Sequence, residues 1–83
     1  MNKHKGAAMQ KDYLSQYKRL GLNIAYYRKL KGYSQERLAE KINISRTHMS
    51  RIETADCAVS LDVIFSLAEI FEVEPSKLFE KKE

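Results

Sequence analysis

No stretch of the 83 residues sustains the alternation of apolar and polar side chains that would mark it as a half-buried strand. Several stretches instead repeat an apolar side chain every third or fourth residue, which gathers those side chains on one face of an α-helix. The chain is therefore read as all-α, a compact five-helix bundle with short links. The first helix is predicted from about Leu14 to Lys31, with Leu20, Ile24 and Tyr27 facing inward and Gly32 as its stop. Ser34 is placed to cap the second, Gln35 to Ile42, where Glu36 suits the positive end of the helix dipole and Leu38, Ala39 and Ile42 face the core. Asn43 follows at the sharp turn, where the backbone needs positive φ and Asn tolerates it best after Gly. Ser45 caps the third helix, Arg46 to Thr54, and Ser60 the fourth, Leu61 to Phe71. Pro75 opens a fifth, Pro75 to Lys81, where its missing N–H costs nothing. Leu61, Ile64, Leu67, Ala68 and Phe71 complete the expected core, closed by Val73, Leu78 and Phe79.

A chain of this length holds one domain, expected over residues 12–83, behind a basic arm (residues 1–11) that lacks any pattern and is read as flexible. So small a core leaves little stability in reserve, which makes self-association useful. Cys57 stands alone and the two histidines, His4 and His48, are far apart, so no disulfide framework, metal site or cofactor is expected, and a cytoplasmic setting fits. No run reaches the roughly 18 apolar residues of a membrane span. A phosphate-binding Gly-rich loop, a nucleophile elbow and an HExxH helix are all missing, so no enzymatic activity is expected. Charge is unevenly spread: up to Arg51 there are twelve Lys or Arg against three acids, and from Ile52 onward three against eight. Opposite signs in the two halves suggest one face that meets a polyanion and another turned away from it.

The third helix carries that suggestion further. At about 100° per residue and with Arg46 at zero, Ser50 falls near 40°, Thr47 near 100° and Arg51 near 140°, while Met49 and Ile52 fall opposite them near 300° and 240°. Two guanidinium groups and two hydroxyls thus share one outward arc, at a spacing that can follow base edges and phosphates in a DNA major groove, with Arg the usual reader of guanine. The first turn also lacks an acid, although the helix dipole favours one there and the second and fourth helices each have one. His48, near 200°, lies at the margin of the inward arc, and is read either as a phosphate contact or as a partly packed side chain.

The string Gly21-x-x-Ile24-x-x-x-Arg28-x-x-x-Gly32-Tyr33-Ser34-Gln35-x-x-Leu38-Ala39-x-x-Ile42-x-Ile44-Ser45-x-x-x-Met49-Ser50-x-Ile52-Glu53 resembles the phage-repressor type of helix-turn-helix, also called XRE-like or lambda-repressor-like. The likeness continues through Ser60-Leu61 and Leu67-Ala68 to Leu78-Phe79 and covers about residues 18–80. It implies a five-helix fold whose second and third helices form the motif, a regulator of transcription, and a homodimer on a two-fold symmetric stretch of double-stranded DNA. By the same resemblance Arg46, Thr47 and Arg51 occupy base-reading positions, and Ser50 one that meets base or phosphate. Gln35 and Ser45 occupy phosphate-anchoring positions, and Arg28 and Glu53 match a pair that ties the first helix to the end of the third. Two departures stand out: Asn43 replaces a frequent Gly in the turn, and Ala55 replaces another after the third helix.

Dimerisation is expected through the fourth and fifth helices, because Phe65, Ile70, Leu78 and Phe79 offer more apolar surface than one short core needs. A repressor is the first reading of function. Its alternatives are an antitoxin, which would carry a protein partner as well, and a restriction-modification controller, whose recognition helix Arg46-Thr47-x-x-Ser50 resembles.

Overall fold

The structure, a computed structural model, describes residues 13–82, so the expected basic arm lies outside the described residues. Four α-helices follow in order: α1 (Leu14–Leu30), α2 (Gln35–Lys41), α3 (Arg46–Glu53) and α4 (Leu61–Phe71). Serine hydroxyls open three of them: Ser34 Oγ accepts from the Arg37 N–H, Ser45 Oγ from His48 and Ser60 Oγ from Val63, at 3.0, 2.9 and 3.2 Å. Each cap satisfies one of the donors that a helix start leaves without a partner.

All four helices stop in the same way. The backbone turns left-handed once, and the next N–H reaches back to a carbonyl in the last turn: Tyr33 to Arg28, Ile44 to Ala39, Asp56 to Arg51 and Val73 to Ala68. The left-handed residues are Gly32, Asn43, Ala55 and Glu72, with φ of 81°, 63°, 62° and 63°. Gly and Asn adopt this conformation with little strain, whereas Ala and Glu do so against a cost of about 1–2 kcal/mol each.

The expected fifth helix is instead a single 3₁₀ turn, Pro75–Phe79, so the bundle has four α-helices among the described residues. Pro75 does open it, and the Lys77 N–H bonds the Glu74 carbonyl at 2.9 Å. The turn is stopped from the far side of the fold. Buried Asn23 donates through Nδ2 to the carbonyls of Leu78 and Glu80 at 2.9 and 2.7 Å, and Glu80 is extended, with ψ of 145°. Those carbonyls are committed to α1, so the last turn of a longer helix does not form.

Leu20 and Ile24 of α1, Leu38 and Ala39 of α2, Met49 and Ile52 of α3, and Ile64, Leu67, Ala68 and Phe71 of α4 fill one core, closed by Leu78. Two expected core residues stay outside it: Leu61 is 64% and Phe79 49% exposed. Gly21 sets how closely α1 approaches α3, since a Cβ placed there would sit 2.4 Å from the Glu53 carbonyl oxygen. No helix among the described residues is long and apolar enough to cross a membrane.

Candidate nucleic-acid interface

The α2–turn–α3 unit is held from beneath by one cluster of hydrogen bonds. Arg28 Nε donates to Glu53 Oε2 at 2.6 Å and Nη2 to Oε1 at 3.1 Å, while Nη1 reaches the Tyr33 carbonyl at 2.9 Å. Both side chains are largely buried. Gln35 Nε2 also donates to Glu53 Oε1, at 2.9 Å. The last residue of α3 thereby gathers donors from α1 and from the first residue of α2. Two parallel charge-assisted bonds give this cluster a direction as well as strength. Asn43, exposed at the turn, lets the chain reverse, and Ile44 packs back against the core.

The consequence is that α3 is anchored on one side and bare on the other. Met49 and Ile52 are 0% and 1% exposed, while Ser45, Arg46, Thr47, His48 and Arg51 are exposed and Ser50 is half-buried. The polar arc of the helical wheel is therefore the solvent face. His48 lies on the outside rather than against the core. Arg46 forms no ion pair with a described residue. Arg51 does: its Nε lies 3.5 Å from Asp56 Oδ2, an exposed pair of the kind worth little in energy but enough to bias a rotamer. Ser45 Oγ is occupied by the His48 N–H, so the Arg46 and Thr47 N–H groups open toward solvent at a helix start that carries no acid.

Sequence reasoning missed three contacts here. Asp56 steers Arg51, Gln35 props Glu53, and Asn23 fixes the chain end. Asn23 did leave a signal, being a polar residue inside the apolar stripe of α1. The other two are contacts between residues whose proximity only the folded turn creates. No groups of His, Cys, Asp or Glu arranged to hold a metal ion occur among the described residues. Burial pushes the Cys57 thiol up from its ordinary value, with Arg51 acting in the opposite direction.

The residues expected to form a dimer face separate into two groups. Phe65 and Phe79 are 54% and 49% exposed and Ile70 is half-buried, but Leu78 is wholly buried in the core. Leu78 is removed from the expected contact, because the Asn23 bonds turn its side chain under α1 and α4. Leu61 is exposed as well and, with Tyr13, Tyr17 and Phe79, lines a groove of about 310 Å³.

The helix-turn-helix family model matches residues 24–78. The restriction-modification controller protein C.AhdI from Aeromonas hydrophila is similar at 32% identity and a TM-score of 0.74, over 78% of this chain and 98% of that one. The N-terminal DNA-binding domain of SinR from Bacillus subtilis is similar at 31% identity and a TM-score of 0.70, over 77% and 94%. A hypothetical transcription factor from Neisseria, at 24% identity and a TM-score of 0.74 over 96% and 86%, shares the fold. No curated protein sequence matches significantly. A family model that spans residues 24–78 covers the motif, its supporting cluster and all but the last residue of the closing 3₁₀ turn, and the chain belongs to the helix-turn-helix family of the phage-repressor, XRE-like type.

Proposed function

We propose that this chain regulates transcription, as a repressor, by placing α3 in the major groove of a specific duplex sequence. The observation that carries the reading is the division of α3 into a buried apolar side and a bare polar side with two arginines and no acid on it. Arg46, Thr47, Ser50 and Arg51 are assigned to base edges. Ser45 and His48, at the start of the helix and on its flank, are assigned to phosphate. Gln35 is assigned there too through its second amide hydrogen, the first being held by Glu53. No catalytic role, metal or cofactor is part of the proposal, and the working compartment is the cytoplasm, where such DNA is found.

A homodimer completes the proposal. Phe65, Phe79 and Leu61 are large apolar side chains at the surface of one end of the fold, and a second copy would cover them. Two recognition helices would then read half-sites about 34 Å apart or a multiple of that spacing. Selection of bound sequences from a random duplex pool tests this directly. Enrichment of a two-fold symmetric motif with that spacing is the expected result, and a pool that stays random after several rounds contradicts it.

A restriction-modification controller is the second reading, favoured by the likeness to C.AhdI over nearly that whole protein. A selected motif lying upstream of neighbouring methyltransferase or endonuclease genes would support it over a general repressor. An antitoxin would instead bring a toxin gene beside it.

A further inference from the structure

The outer face of α1 and the end of the chain beside it form a groove unconnected with α3. Asn23, 2% exposed, holds the Leu78 and Glu80 carbonyls, which lays the last described residues along α1. Lys82 Nζ then lies 4.5 Å from the ring centroid of Tyr26 and 4.8 Å from that of Tyr27. A groove of about 470 Å³ lined in part by Tyr26 has Lys18, Arg19, Lys81 and Lys82 in its walls and no acid among its lining residues. None of the four forms an ion pair with an acid of the described residues. Among the residues that line it, Leu22 is 69% and Tyr26 47% exposed. Leu22 and Tyr26 point about 100° and 140° round α1 from Gly21, where α1 touches α3, so this face is separate from the proposed DNA surface.

We propose that this groove docks an acidic peptide segment of a partner protein that carries at least one large apolar side chain. Carboxylates of the segment meet Lys18, Arg19 and Lys82, and the apolar side chain covers Leu22 beside the Tyr26 ring. Charge complementarity excludes the chain's own residues 1–11, which are themselves basic. Nucleic acid fits less well, because phosphates would satisfy the lysines and leave Leu22 facing a polyanion with nothing apolar to cover it.

The test is a titration of the isotope-labelled full chain, followed by amide NMR shifts. The probe is a synthetic peptide of about twelve residues, Asp and Glu with one Leu and one Phe a helical turn apart. Saturable shifts confined to the outer face of α1 and the chain end are expected, and they persist when duplex DNA is bound. Lys18→Glu with Lys82→Glu, and separately Leu22→Ser, should each weaken the probe by roughly tenfold. Both variants alter exposed side chains, so melting at the wild-type temperature checks that they fold. The proposal is overturned if no shift saturates at millimolar probe, or if a peptide with Ser in place of Leu and Phe binds equally well. Displacement of the probe by single-stranded DNA would assign the groove to nucleic acid instead, and concentration-dependent shifts without probe would assign it to a second copy of the chain.

Discussion

Gly21→Ala should destabilise the fold, although local helix preference predicts the reverse. Gly21 lies inside α1, and Ala is favoured over Gly in a helix interior by about 1 kcal/mol. Against this stands the position of the new carbon, 2.4 Å from the Glu53 carbonyl oxygen, 2.8 Å from its carbonyl carbon and 2.8 Å from the Ile52 oxygen. All three are backbone atoms in the last turn of α3, so no side chain can rotate to make room and the two helices must move apart. Overpacking costs about 1–3 kcal/mol, and a clash with backbone belongs at the upper end. The net loss is therefore about 2 kcal/mol, which for a domain of this size lowers Tm by about 8–16 °C. Thermal melts followed by far-UV circular dichroism measure it, with Leu22→Ala at the neighbouring exposed position as a control expected within about 0.5 kcal/mol of wild type. A Gly21→Ala protein that melts at or above the wild-type temperature would show that α1 and α3 are not in this register.

Glu53→Gln and Arg28→Met should each cost about 3 kcal/mol, since each leaves a buried charge without its partner, and the double variant should lose less than the sum; equal melts for single variants and wild type would refute this. Glu72→Gly should raise stability by about 0.5 kcal/mol, because relief of the left-handed strain outweighs the added chain entropy and the removal of an exposed ion pair with Lys31. A urea midpoint below wild type would contradict it. Cys57 should react with a disulfide reagent at mildly alkaline pH more slowly than free cysteine, because a raised thiol pKa leaves less thiolate at any pH below it. Reaction at the free-cysteine rate would mean that burial does not govern the thiol.

The helical class, the three serine caps and the two turns at Gly32 and Asn43 were legible because each depends on one residue's own conformational preference or on a local period. Ala55 and Glu72 adopt the same left-handed turn without preferring it, so their role follows from where the next helix must pack and is invisible locally. The fifth helix failed for a similar reason, since its limit is a hydrogen bond from Asn23, 55 residues away in the chain. Apolar period alone also cannot separate Leu78, which is buried, from Phe79 and Leu61, which face solvent. At the candidate site the exposed arc of α3 was visible on a helical wheel. The pull of Asp56 on Arg51 and of Glu53 on Gln35 was not, because those contacts exist only once the turn is made.

If the bare arc of α3 reads DNA sequence, Arg46 is the residue whose loss shows it best, because no described residue competes for its guanidinium. Binding isotherms of wild type and Arg46→Ala, on a selected operator and on single-base variants of it at several salt concentrations, make the measurement. Arg46→Ala should weaken the preferred operator by about 1–3 kcal/mol and relax the preference at one base pair per half-site. A role on phosphate alone would instead weaken all sequences alike and reduce the slope of log K against log salt by about one unit for each phosphate that the guanidinium neutralises. If Arg46→Ala binds every duplex as tightly as wild type, with the same ranking, α3 is not the reading surface.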